Sequence, residues 1–267
     1  MTIHDEPTTR LPRGETSGAA VELEGVRRSF GGTPVLDGLD LRITEGAITT
    51  VLGPSGTGKS VLLKHIMGLL EPDEGRVRVF DQDIWQLRER ERRALRTRFG
   101  VLFQDGALFG SMNLFDNVAF PLRRHTQLDE DEIEEKVMAR LREVGLESSL
   151  GKAPNEISGG MRKRAGFARA LIMEPEILLF DEPDSGLDPV RTSLLNDLVL
   201  SIHGEQGGTY VLVTHDIHTA RKVSDDVGVL HEGRLVHFGP AAEAFDSGDA
   251  FVRQFLNGES DGPLGMD

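Results

Sequence analysis

The segment Gly53–Ser60, GPSGTGKS, joins a short β-branched run, Ile48–Leu52 (ITTVL), to a stretch with helical spacing of apolar residues, Ser60–Leu70 (SVLLKHIMGLL). Strand, glycine loop and helix follow one another. The spacing is G-x-x-x-x-G-K-[ST], in which glycines permit the tight turn and let backbone N–H groups surround phosphates. Gly53, Pro54, Ser55, Gly56, Thr57 and Gly58 are thus candidate nucleotide contacts. Lys59 is placed to reach the β- and γ-phosphates and Ser60 to put its hydroxyl on Mg²⁺, with the positive end of the following helix aimed at the anion. The pattern points to binding and hydrolysis of Mg-ATP.

The flanking segments alternate between strands and helices. Val21–Phe30 and Val35–Ile43 alternate apolar and polar residues around a Gly-Gly-Thr-Pro turn and read as a hairpin. The helix after the loop is broken by Pro72 and Gly75, and strands follow at Gly75–Phe80 and Gly100–Phe103. The middle is helical: one helix ends near Leu122, and from Asp129 to Leu146 the residues Ile133, Val137, Leu141 and Val144 recur at three and four. Strands resume at Ile177–Phe180 and Tyr210–Val213, each preceded by a helical segment, and Val227–Leu230 pairs with Arg234–Phe238 as a closing hairpin. The expected fold is α/β: a P-loop NTPase (RecA-like) core over 21–104 and 155–245 with an antiparallel β layer. A helical subdomain occupies 105–154, a loose tail 1–20 and a C-terminal extension 246–267.

Composition narrows the function classes. The 267 residues are 38% hydrophobic, enough for a substantial core. A formal charge of -14 repels a phosphate backbone, and the basic stretch Arg88–Arg98 is diluted by Glu89 and Glu91, so it reads as a solvated helix face rather than a nucleic-acid patch. With no cysteine, disulfides and thiolate metal sites are excluded. The first twenty residues lack the apolar stretch of a secretory signal, and no apolar run approaches the ~20 residues that cross a bilayer.

Two further constellations carry chemistry. At Ile177–Glu182 (ILLFDE) a strand delivers two carboxylates: Asp181 to hold the Mg²⁺ shell and Glu182 to polarise the attacking water. Acidic pairs after strands also cap helices, a reading that loses weight beside a phosphate loop. Asn155–Arg164 (NEISGGMRKR) places Ser158, Gly159 and Gly160 before a helical run. Alone this is an ordinary helix start; its functional reading is a second anion site, used if two chains face each other.

Together, ISGGM, ILLFDEP and SGLD resemble an ATP-binding cassette (ABC) ATPase, the motor subunit of an ABC transporter, over Val21–Pro240. The resemblance implies that Phe30 stacks on adenine and that Gln104 couples Mg²⁺ to the helical insertion. It implies that Ser158–Gly160 close on the γ-phosphate of a second copy's ATP, that Ser185–Asp188 cross the dimer interface, and that His215 contacts the γ-phosphate. The family commonly has Tyr at the adenine and Leu-Ser-Gly-Gly-Gln in the signature. Phe30 keeps the ring and Ile157 the apolar plug, whereas Met161 replaces a polar side chain.

Met161 followed by basic residues is similar to the ATPases of the Mce/Mla lipid-transport branch, as are Phe103–Arg123, Asp181–Thr192 and Phe251–Leu264. This resemblance implies two ATPases beneath two membrane permeases, at the cytoplasmic face of the membrane, working with Mce-domain proteins to move phospholipids or sterols. Ala107–Leu122 is apolar enough to offer a groove to a permease helix while packing the insertion. Phe251, Phe255 and Leu256 are expected to dock on the core or on a neighbouring ATPase. A polar-solute importer and a soluble, non-transport ABC ATPase are the alternatives.

Overall fold

A computed structural model describes residues 18–263 of the chain. Residues 1–17 of the expected tail, and Leu264–Asp267 at the other end, lie outside the described residues. Strand β1 (Ala19–Phe30) begins two residues before the expected boundary and pairs antiparallel with β2 (Thr33–Thr44). β3 (Ile48–Leu52) is wholly buried and leads through the glycine loop into α1 (Lys59–Ile66). That helix stops earlier than its apolar spacing predicts. Gly68 takes a left-handed conformation (φ 61°), and the amides of Leu69 and Leu70 both turn back to the Lys64 carbonyl.

β4 (Glu74–Val79) and the two-residue β5 (Gln82–Asp83) complete an antiparallel sheet of order β2-β1-β4-β5. α2 (Glu89–Arg96) is the solvated helix expected from its charges: Arg92 and Arg93 pair with Glu89 at 3.0 Å, and Leu95 is its buried residue. β6 (Phe99–Leu102) precedes the helical region of α3 (Leu114–His125), α4 (Glu130–Glu143) and α5 (Gly159–Leu171). Their starts are written in the sequence, with Asn113, Asp129 and Ser158 each accepting from an amide of the first turn.

β7 (Ile177–Asp181), α6 (Pro189–Gln206), β8 (Thr209–Thr214), α7 (Ile217–Val223), β9 (Asp226–His231) and β10 (Arg234–Pro240) follow. The second sheet has the order β10-β9-β3-β8-β7-β6, parallel apart from the β9–β10 hairpin. Its central strands are buried on both faces, as helix-covered parallel sheets require. Leu178 and Phe180 of β7 enter the core shared with the helical region, while Ile177 and Leu179 enter the core beneath the antiparallel sheet. Period-two side-chain alternation thus bonds one strand to two hydrophobic layers.

The last helices among the described residues are α8 (Ala241–Phe245) and α9 (Ala250–Asn257). α9 docks on its own core: Val252 and Leu256 pack with Val227, Val229, Leu52 and Ala220, and the Phe251 ring lies 4.4 Å from that of His231. In the helical region, Leu114, Val118, Ala119 and Leu122 are buried, whereas the rings of Phe109 and Phe120 meet at a tilt with centroids 4.9 Å apart and remain exposed, as does Phe103. No helix among the described residues is long and apolar enough to cross a membrane.

Candidate nucleotide site

The glycine loop emerges at the carboxyl end of β3, between the ends of β8 and β9. A side chain at Gly53 would run into the Leu230 carbonyl, and one at Gly58, whose φ is 100°, would meet the Val35 carbonyl at 2.9 Å. Both glycines are there because backbone passes too close for a Cβ. Thr57 Oγ1 donates to the Pro54 carbonyl at 2.9 Å and closes the turn. Helix α1 starts at Gly58 without a side-chain cap and without acidic residues in its first turn, which leaves its positive end available to an anion.

Lys59 is 4% exposed, and its ammonium donates to the Gly53 and Pro54 carbonyls at 2.9 Å. Burial pulls its pKa below the usual lysine value, opposed chiefly by Glu182, whose carboxylate lies 3.6 Å away. Ser60 Oγ donates to Asp181 Oδ1 at 2.9 Å. Burial raises the Asp181 carboxyl above its ordinary value, and the Ser60 bond opposes that shift.

Glu182 sits in the left-handed region (φ 47°), held there by the hydrogen bond its backbone N–H donates to the Val213 carbonyl at 2.9 Å. His215 Nδ1 lies 3.6 Å from the other oxygen of Glu182. Lys59, Ser60, Asp181, Glu182 and His215 therefore form one contiguous group at the carboxyl ends of β3, β7 and β8. Hard oxygen donors at Ser60 and Asp181, beside a lysine and a helix N-terminus, suit a phosphate chain and its divalent ion.

The remaining predicted residues lie around this group. Gln104 Nε2 donates to Ser185 Oγ at 2.9 Å, joining the loop after β6 to the loop after β7. Phe30 closes β1, 46% exposed, with the Arg28 guanidinium 4.9 Å from its ring. Ser158 caps α5 by accepting from Met161 N at 3.3 Å, and Gly160 abuts Leu187 and Arg191. Asp188 caps α6, accepting from Val190 N at 3.1 Å and Arg191 N at 3.0 Å. Among the described residues, no hydrogen bond or ion pair joins Ser158–Gly160 to the glycine loop of the same chain.

Two buried polar residues escaped the sequence reading. Asp184, 5% exposed, accepts from Thr214 Oγ1 at 2.6 Å, and Lys163, 4% exposed, donates to the Pro183 carbonyl at 2.7 Å. Burial raises the Asp184 carboxyl and lowers the Lys163 ammonium. Asp184 sits within DEPDSGLD, whose acidic richness was a signal; Lys163, inside MRKR, carried none.

The ABC transporter family model matches residues 36–185, more than half of the chain. The chain belongs to the ABC transporter family. As an ABC ATPase it binds and hydrolyses ATP. It is similar to the probable ribonucleotide transport ATP-binding protein mkl of Mycobacterium leprae, 51% identical over 96% of this chain and 73% of the relative. It is similar also to the intermembrane phospholipid transport system ATP-binding protein MlaF of Escherichia coli strain K12, 38% identical over 91% of each chain. Among solved structures, cbiO1 from Clostridium perfringens, part of the ABC transporter complex cbiONQ, superposes with a TM-score of 0.79 at 32% identity, covering 89% of this chain and 95% of that one. The dimeric ATP-binding cassette MJ0796 bound to ADP and Pi gives 0.74 at 30% identity over 83% and 98%.

Proposed function

We propose that this ABC ATPase powers lipid movement of the Mce/Mla type, as one of two identical subunits beneath a pair of membrane permeases at the cytoplasmic face. Similarity to the phospholipid transport ATPase MlaF over 91% of both chains carries this reading. The branch-like stretches at Phe103–Arg123 and Asp181–Thr192 and the Met161 signature agree with it. A permease has a place to dock at the exposed Phe103, Phe109 and Phe120. Asn117 fixes that surface: its buried amide accepts from Phe109 N at 2.7 Å and donates to the carbonyls of Phe109, Met112 and Asn113. Mce-domain proteins complete the assembly. The acidic charge argues against nucleic acid as a partner.

In this reading the glycine loop, Lys59 and the α1 N-terminus hold the phosphates, and Phe30 offers its exposed ring to adenine. Ser60 and Asp181, with Gln104, would hold Mg²⁺, which supplies charge neutralisation at the phosphate oxygens. Glu182 accepts the proton of the attacking water, and His215 orients the reacting end. Ser158, Gly159 and Gly160 serve the nucleotide of the second copy, and Asp188 fixes the start of α6 beside that interface. Closure around two nucleotides moves the helical region through Gln104, and hydrolysis reopens the pair.

A second reading, transport of a polar solute, draws on the ribonucleotide name of the relatives at 51% identity. Purification of the tagged full-length chain from its native membranes separates the two. A permease recovered together with an Mce-domain protein and bound phospholipid is the expected result. Recovery with a permease and a polar-solute-binding protein overturns the lipid assignment.

A further inference from the structure

Lys163 lies where three functional segments meet. It projects from the first turns of α5, five residues beyond Ser158, and its ammonium donates to the carbonyl of Pro183, the residue after Glu182. The side chain is 4% exposed. The carboxylates of Asp184, Asp105 and Glu182, on the loops after β7 and β6, favour its charged form against the effect of burial. The backbone around it has little slack. A Cβ on Gly166 would lie 2.9 Å from Gly106 Cα and O, so the Gln104–Gly106 loop is seated directly on α5. Gln104 is tied to Ser185 on the far side of the same Pro183 turn.

A lysine with its charge out of water is costly unless its donor has a firm acceptor. Here the acceptor is the backbone that aims Glu182. That backbone holds a non-glycine residue at φ 47°, so its geometry depends on what grips it from either side. Val213 grips the amide of Glu182 at 2.9 Å, and Lys163 grips the carbonyl one residue on at 2.7 Å.

We propose that Lys163 is a positioning residue that transmits movement of the Ser158–Gly160 end of α5 to the backbone of Glu182. Engagement of a facing nucleotide by Ser158–Gly160 thereby sets the carboxylate of the chain's own site. The proposal rests on the reading of Ser158–Gly160 and Glu182 given above. Its chemical basis is one buried, charge-assisted hydrogen bond, which neither an apolar side chain nor a shorter polar one reproduces. Arginine, with comparable reach and a permanent charge, does.

The test is steady-state ATP hydrolysis by the full-length chain with Lys163→Met, Lys163→Gln, Lys163→Arg and, alongside, Glu182→Gln. Lys163→Met is expected to lower kcat by about 10- to 100-fold, as a small misplacement of a reacting group does. KM for ATP stays within about twofold, because the phosphate loop is untouched. Lys163→Gln, whose amide falls short of the Pro183 carbonyl, gives the same split and serves alone if the Met variant does not fold. Lys163→Arg restores most of kcat. Unchanged kcat in both Met and Gln variants overturns the proposal. So does a parallel loss of ATP affinity and thermal stability that accounts for the lost turnover, or a failure of Arg to restore it. If Glu182→Gln turns over at the wild-type rate, the underlying site reading fails; slow Glu182→Gln beside fast Lys163→Met removes the relay alone.

Discussion

Ser60 Oγ and Asp181 Oδ1 stand 2.9 Å apart although 121 positions separate them in the chain. One ends the glycine loop and the other ends β7, so the contact exists only when the sheet is assembled. Burial raises the Asp181 carboxyl, meaning that the folded state disfavours its ionised form. Asp181→Asn should therefore be at least as stable as the wild type at neutral pH, with an unchanged or higher Tm. Its Mg²⁺-dependent turnover should drop by about 100-fold or more, because a carboxylate ligand is lost. Calorimetry and a Mg²⁺ titration of ATP hydrolysis check both halves.

Glu182 lies within 3.6 Å of both Lys59 and His215. Glu182→Gln keeps the shape and removes the base, so ATP binding should persist while turnover falls about 100-fold or more. With hydrolysis blocked, two chains should remain closed on ATP and elute as a dimer in gel filtration. A monomer at saturating ATP would count against the paired arrangement.

The close approach of Gly166 to Gly106 leaves no room for a methyl group against fixed backbone. Gly166→Ala should force α5 and the Gln104 loop apart, destabilising the chain by about 1–3 kcal/mol. Urea denaturation measures the loss. The membrane-stimulated part of ATP hydrolysis should suffer more than the basal rate, since Gln104 and Phe109 sit on the displaced loop.

His65 is buried, with Nδ1 2.6 Å from the Leu70 carbonyl and Nε2 without a partner. Desolvation lowers its pKa below 6.5, reinforced by Arg28 and opposed by the Leu70 bond and Asp73. The unfolded chain takes up a proton near that ordinary value while the folded chain refuses it. Stability is therefore fully present above about pH 6.5 and declines as pH falls toward the folded value, at most about 1.4 kcal/mol per pH unit from this group. Denaturation midpoints between about pH 5 and 7 should slope less steeply for His65→Gln than for the wild type. Equal slopes would mean that His65 titrates freely in the folded state.

Legibility followed the range of the interactions. The Gly53–Ser60 loop, the helix running on from Asp129, the cap at Ser158 and the strand at Ile177 depend on neighbours in sequence, and each could be read directly. The end of α1 was misplaced because Gly68 acts through backbone geometry before Pro72 is reached. Lys163 was invisible for a different reason. A lysine among arginines reads as solvated, and only the packing of α5 against the Pro183 turn turns it inward. The docking of α9 likewise needed the surface of β9, which no spacing in 250–257 specifies.

The pairing of β3 bears on biosynthesis. Its partners, β8 and β9, begin at Thr209 and Asp226, so most of the chain must leave the ribosome before the strand carrying the phosphate loop has any neighbour. Until then ITTVL is an unpaired hydrophobic strand, the kind of segment that sticks to other nascent chains and that chaperones shield. Premature termination anywhere between Ser60 and Thr209 thus releases a polypeptide that contains the whole glycine loop yet lacks the strands that pair with β3.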